Sequence, residues 1–282
     1  MTEQSIDRTP GATYIESDVH ELIRYRKEGK VGIIELTNER KMNTYSHAFF
    51  QQMDKAIMEA RYDDEVFVIL IQNKNPGAFS AGAEIKYLQA CSSFSKGNFC
   101  LHGNETLIRL EQTPKVVIAA INGHAVGGGL EIALAADIRI MSKGSDKPYR
   151  IGLPEVNLGV LPGTGGTQRL ARLIGNSRAI DMMITGKLIT AEEAEQIGLV
   201  NYAFEESDFE EKLKNYVEKL TSSAGLTIGL IKRAVVSGTQ MSLHEGLTLE
   251  RELQNRLFAS PDAQEGITAY LERRDPKWKQ TL

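Results

Sequence analysis

Cysteine is nearly absent from this 282-residue chain: Cys91 and Cys100 stand nine apart with no second pair. That argues against a disulfide framework and a zinc site, and it suits a reducing compartment, so a cytoplasmic location is expected. Long apolar runs are also missing. A membrane span needs roughly 18 consecutive apolar residues, and Asn122, His124 and Glu131 interrupt the best candidate. There is no excess of positive charge either. A net charge of −4 offers no whole-chain attraction to nucleic acid or an anionic membrane. The opening MTEQSIDRTPGATYIESD is polar and acidic, unlike a secretory signal or an arginine-rich transit peptide, and reads as a flexible tail over residues 1–20. Exact repeats and low-complexity segments are absent. What remains is an ordinary globular composition, 41% hydrophobic and 25% charged, in a chain long enough to bury a large core.

Against that background two glutamates stand out. Val116–Ala136 reads VVIAAINGHAVGGGLEIALAA, and Glu131 is its one charge. Ile151–Gln168 reads IGLPEVNLGVLPGTGGTQ, and Glu155 is again alone. Most glutamates sit solvated on a surface. These flanks predict poor solvation instead, and burying an unpaired charge is costly, so chains keep such groups chiefly where chemistry needs them.

The pattern of the chain predicts an α/β fold with parallel pairing. Leu22–Lys27 and Val31–Leu36 read as a hairpin across Glu28-Gly29-Lys30. A helix is expected over about 46–61, and Val66–Gln72 has the unbroken apolarity of a buried strand. A loop carrying Gly77 and Gly82 should lead to a helix from Glu84, with another over about 100–112. Val116–Ile121 reads as a strand, Asn122–Gly129 as a glycine turn, Leu130–Ala136 as a helix and Ile138–Met141 as a strand. Thr190 and Glu193 form a capping-box pair. Helices are expected at Asp208–Leu220, Leu226–Val236, Ser242–Phe258 and Asp262–Arg273. The chain thus divides into a tail (1–20), an α/β core (21–205) and a helical region (206–282).

Gly123, Gly127, Gly128 and Gly129 lie between a strand and a helix. Such glycines can simply close a tight turn, or they can aim helix-terminal N–H groups at an anion. Gly123 and Gly128 have P-loop spacing, but Gly129-Leu130 follows where Lys-Ser/Thr is required. A dinucleotide fingerprint and a GxSxG elbow are also missing. Backbone donors beside a glutamate, without a phosphate lysine, suit an oxyanion.

Four segments together resemble one family. FSAGAEIK (Phe79–Lys86), INGHAVGGGLEIALAADIRI (Ile121–Ile140), LPEVNLGVLPGTGGTQRLARLIG (Leu153–Gly175) and EAEQIGLVN (Glu193–Asn201) closely resemble the enoyl-CoA hydratase/isomerase (crotonase) family. The resemblance extends from about Leu22 to the C-terminal EGITAYLERRDPKW. It implies a crotonase-like spiral of ββα units with a C-terminal helical oligomerisation region, assembled as a homotrimer or a hexamer. It implies acyl-CoA thioester substrates of fatty acid metabolism. No cofactor is expected, since coenzyme A is part of the substrate, and no metal. By motif position the oxyanion hole would be the amides of Ala83 and Gly128. Ala81, Gly82, Ala83, Glu84, Ile85 and Lys86 match the segment that lines the CoA moiety, with further substrate contact at Gly128 and Gly163. Tyr270 and Arg273 match positions that close over the CoA, sometimes from a neighbouring subunit, and Arg273 is either a phosphate partner or a solvated charge on a helix face.

Within such a family the two glutamates choose the reaction. The resemblance implies that hydratases carry both, while many isomerases keep only the second. Hydration of a 2-enoyl thioester needs one group to take a proton from water and another to give one to C2. Glu131 would activate the water and Glu155 would donate, one of the pair staying protonated near neutral pH. The enolate oxygen would face Ala83, Gly128 and the dipole of the following helix. His124 is an acid/base by residue type, although packing is the commoner role there.

Two departures bear on specificity: Ser142–Arg150 is about four residues longer than the usual connection, and Leu153 replaces a glutamine. Both are expected near the acyl pocket. That leaves open an isomerase, and a hydrolase or C–C lyase acting on a specialised acyl-CoA. RNA binding is disfavoured, because the stretch 46–65 sets Lys55 and Arg61 against Asp54, Glu59, Asp63, Asp64 and Glu65.

Overall fold

The computed structural model describes residues 20–38 and 42–279, so the expected tail over 1–20 lies outside the described residues save for His20. The chain winds as a spiral whose turns feed two sheets in alternation. The larger sheet takes β1 (Ile23–Glu28), β2 (Val31–Leu36), β3 (Val68–Asn73), β5 (Val116–Ile121), β7 (Ile138–Ser142) and β9 (Tyr202–Phe204), in that order. The smaller takes β4 (Gly77–Ser80), β6 (Gly123–Val126) and β8 (Ile151–Gly152). Only the β1–β2 hairpin is antiparallel; the other named pairs are parallel.

Unbroken apolarity in β3 and β5 reflects burial on both faces. Ile69, Ile71, Val117, Ala119 and Ile121 join one core, beneath α1 (His47–Tyr62) and α3 (Ser93–Glu111). Val68, Leu70, Val116, Ile118 and Ala120 join a second. That second core is closed by Phe209, Leu213 and Val217 of α8 (Glu206–Thr221). The helical region therefore begins by covering the main sheet. It continues as α9 (Gly225–Gly238), α10 (Leu243–Phe258) and α11 (Pro261–Glu272).

The small sheet corrects the sequence reading at two places, since the loop around Gly77 and the supposed turn Asn122–Gly129 each contain a strand, and it adds a strand before Pro154 that was not anticipated. At four, four and two residues, these strands carry no readable alternation, and only backbone pairing with each other defines them. α3 also starts earlier than expected, because Ser92 caps it in a box with Ser95. The helix after the glycines, α4 (Gly128–Leu134), opens at Gly127, whose φ of +57° suits glycine. Between β8 and β9 lie α5 (Gly166–Ile174), α6 (Asn176–Thr185) and α7 (Ala191–Gln196). The Thr190–Glu193 capping box is present at the start of α7.

Candidate active site

The small sheet brings the ends of β4, β6 and β8 together, and the residues just beyond each strand form one wall of a cavity of about 510 Å³. After β4 comes Ala81-Gly82-Ala83, after β6 the start of α4, and after β8 Pro154-Glu155. The backbones are in contact: a Cβ on Gly82 would lie 2.9 Å from the Gly128 amide nitrogen. A side chain on Gly129 would collide with the Ser80 carbonyl. Met42 and Asn43 hold the adjoining strand end from the other side, both with positive φ. Their carbonyls accept from the Ala81 amide (3.0 Å) and the Ser80 hydroxyl (2.8 Å). Strained non-glycine residues persist where the surroundings over-determine them.

Among the described residues, two amides are left without an acceptor by this packing. The bridge between Tyr45 and the β4 segment uses the Gly82 carbonyl and the Glu84 amide, both at 2.9 Å, and skips the amide of Ala83. Gly128 is the first residue of α4, where an amide has no intrahelical partner. α4 is only seven residues long, so these local N–H groups, rather than a large macrodipole, supply the field.

The two glutamates face the same cavity in different states. Glu131 is buried and accepts from the Thr164 amide at 2.8 Å, the Gly166 amide at 2.7 Å and the Thr164 hydroxyl. Glu155 opens a 3-10 turn (Glu155–Leu158) behind Pro154. Its Oε2 is buried with no hydrogen-bond partner among the described residues. Burial pushes the Glu155 carboxyl up to about 7. A bond from its own amide pulls it down, the charge of Glu131 pushes it further up, and the Lys96 ammonium pulls it down.

Of the residues expected at the site, Ala81, Gly82, Ala83, Ile85, Gly128, Glu131, Glu155 and Gly163 line the cavity. Others do not. Glu84 serves as the cap residue of α2 (Ile85–Ala90), and Lys86 is exposed on that helix; neither lines the cleft. Tyr270 is 84% exposed on α11, and Arg273 is exposed at its C-cap, also outside the lining. The expectation for Ser142–Arg150 is corrected. The segment is tied to β9 and α8 through Lys143 N–H to Phe204 O (2.9 Å), Lys143 to Glu205 (2.6 Å) and Tyr149 to Glu206 (3.1 Å). The segment does not line the cavity, whereas Leu153, buried in the core, does lie close to it: a Cβ on Gly166 would lie 2.9 Å from Leu153 Cδ1 and 3.0 Å from Glu131 Oε1. His124 accepts from the Arg150 amide at 3.0 Å beside the Tyr149 ring, and burial lowers its pKa. It too lies outside the lining. Sequence reasoning missed Tyr45, Lys96 and Thr164 as individual wall residues. Thr164 sits inside the quoted GTGG run, whereas Tyr45 and Lys96 lie in segments with no motif to mark them.

In comparison with known proteins, the family model for enoyl-CoA hydratase/isomerase matches residues 26–281. The chain belongs to the enoyl-CoA hydratase/isomerase family. It is 37% identical over 248 residues to a short-chain-enoyl-CoA hydratase of Clostridium acetobutylicum, covering 88% of this chain and 94% of that one. It is 33% identical to a crotonyl-CoA hydratase of Syntrophomonas wolfei, over 90% and 96% of the two chains. Among solved structures, an enoyl-CoA hydratase from Geobacillus kaustophilus superposes with a TM-score of 0.88 at 46% identity, covering 93% and 97%. One from Bacillus anthracis gives 0.86 at 34%, covering 92% and 100%. Family members of this kind share the spiral fold seen here. Among the described residues no cluster of His, Cys, Asp and Glu could hold a metal ion, and no helix is long and apolar enough to cross a membrane.

Proposed function

We propose that this chain hydrates 2-enoyl-CoA thioesters reversibly to 3-hydroxyacyl-CoA. The observation that carries the reading is the contrast between the two glutamates. Glu131 is held by three donors, and a carboxylate has about four lone-pair sites, so one remains to take a water. Glu155 keeps a buried, unpaired oxygen and a pKa of about 7, which suits a group that must hold and release a proton near neutrality. Water attacks C3 as its proton passes to Glu131, while Glu155 delivers a proton to C2. The negative charge that builds on the thioester oxygen between these events meets the Ala83 and Gly128 amides, the kind of donor worth about 3–4 kcal/mol of barrier. No cofactor takes part, since the coenzyme A is carried by the substrate. An isomerase shifting a 3-enoyl bond needs only one shuttling carboxylate, and a buried Glu131 with one acceptor site left for a water favours hydration. Steady-state assays of water addition across a panel of enoyl-CoA thioesters test the reading; no hydration of any of them would overturn it.

The same reading includes assembly as a homotrimer or a dimer of trimers. It is supported by apolar side chains exposed on the helical region, among them Ile231, Val235, Leu243, Phe258 and Leu271. A stable monomer at micromolar concentration by sedimentation would overturn it. A reducing, cytoplasmic setting is supported by the free thiols of Cys91 and Cys100.

A further inference from the structure

Tyr45 is the one tyrosine among the described residues in the wall of the cavity. Its backbone is stapled to the oxyanion segment, since its amide donates to the Gly82 carbonyl and its carbonyl accepts from the Glu84 amide, each at 2.9 Å. Its ring is wedged among Phe49, Phe50 and Phe99, with centroids 5.1–6.0 Å away. The side chain therefore has no freedom to leave. At its tip the hydroxyl rests on Gly128: a Cβ at that glycine would overlap it. The residue is 3% exposed, yet the hydroxyl's polar neighbour among the described residues is Thr164 Oγ1 at 3.5 Å, at the limit of a hydrogen bond. The Thr164 hydroxyl is already committed to Glu131. Leaving a buried hydroxyl without a good partner costs about 1–3 kcal/mol, so such a group calls for an explanation.

We propose that Tyr45 is a catalytic residue, whose phenol donates a third hydrogen bond to the thioester oxygen as negative charge develops there, beside the amides of Ala83 and Gly128. The inference rests on the thioester reading above. Burial, and next the charge of Glu131, hold the phenol well above its ordinary pKa, so it stays a donor throughout. The proton is not transferred; no bond to it is broken in the cycle. Phenylalanine at position 45 would keep the ring packing and remove only the donor.

The test compares wild type with Tyr45→Phe. The kcat for hydration of crotonyl-CoA is expected to fall about 10²–10³-fold, the range for one oxyanion donor, with KM little changed and melting temperature retained. A second readout does not depend on turnover. An aromatic enoyl-CoA such as cinnamoyl-CoA should show a red-shifted absorption when bound, because the donors polarise its carbonyl, and that shift should shrink in Tyr45→Phe. Activity within twofold of wild type would overturn the proposal, leaving Tyr45 as a packing residue. A fall in kcat with an unchanged red shift would also overturn it, placing the phenol on the water instead. A wild type that polarises the bound carbonyl but hydrates nothing refutes the hydratase reading without touching this one.

Discussion

The two ends of α4 both bury charge, and they treat it in opposite ways. At the C-terminal end, Asp137 pairs with Lys232 at 2.8 Å and accepts from the Val117 amide. Lys232 also donates to the Lys115 carbonyl, and Arg139 donates to the carbonyls of Leu199 and Ala136. At the N-terminal end, among the described residues, Glu155 keeps an unpaired oxygen, the amides of Ala83 and Gly128 have no acceptor, and the Tyr45 hydroxyl has one marginal neighbour. Both ends are desolvated, as the shifted Asp137, Lys232 and Glu155 all show. Burial alone therefore does not mark chemistry; unspent hydrogen-bonding capacity inside a cavity does. The C-terminal end locks α9 to the core. The N-terminal end waits for a ligand.

The contrast is broken most directly by substitution at the open end. Glu131→Gln and Glu155→Gln keep shape, so each is expected to cut kcat for hydration by roughly 10²–10⁴-fold or more. The double variant should fall well short of the product of the two losses, because groups acting as a unit are non-additive. An isomerase gives another pattern, in which Glu131→Gln retains most double-bond shift while Glu155→Gln is dead. Assaying both reactions on both variants decides.

At the closed end the expected loss is of stability. Lys232→Met strands Asp137 in the interior and should lower unfolding free energy by about 3–5 kcal/mol, read by denaturant midpoint. Asp137→Leu combined with Lys232→Met should recover most of it, since desolvation outweighs attraction at both partners. Equal losses in the single and double variants would show that the pair matters for something other than its charge.

A smaller effect has the opposite sign. Burial raises the Glu155 pKa from 4.5 to about 7, so its contribution to stability is intact below about pH 4.5 and is lost as pH climbs through 7. Glu155→Gln should therefore stabilise the protein at pH 8, on the order of 1–3 kcal/mol, and leave it unchanged at pH 4. A variant less stable at pH 8 would mean that the carboxylate is better solvated than its burial implies.

The smallest expected effect is a shift in pH profile. Lys96, the one cation among the described residues lining the cavity, pulls the Glu155 pKa down. In Lys96→Met that pKa rises, the acid form survives to higher pH, and the alkaline limb of kcat should move upward. A limb that stays put separates Lys96 from Glu155.

Much of this was legible in residue order. Glu131 and Glu155 showed themselves by the silence of their flanks and β3 and β5 by unbroken apolarity, and the last four helices lie where the residue pattern placed them. The strands β4, β6 and β8 were not legible, because two to four residues hold no period and their pairing is with one another. The Ser142–Arg150 extension, longer than the usual connection before Pro154-Glu155, was expected near the acyl pocket. Its bonds to Phe204, Glu205 and Glu206 carry it elsewhere, since sequence neighbours can leave a strand end in different directions.

Local chemistry in the sequence determined that two carboxylates would be poorly solvated, that glycines would let α4 begin against β4, and that the chain would wind strand after strand into parallel pairs. The tertiary structure alone decided which glutamate is held by three donors and which is left with an unpaired oxygen. That depends on Thr164 and Gly166 arriving at Glu131 from more than 30 residues away. It also decided that Tyr45, unremarkable in the sequence, would rest its hydroxyl on Gly128. Hydrogen bonds and desolvation act over a few ångströms of space, and only folding brings residues so distant in the chain within that range.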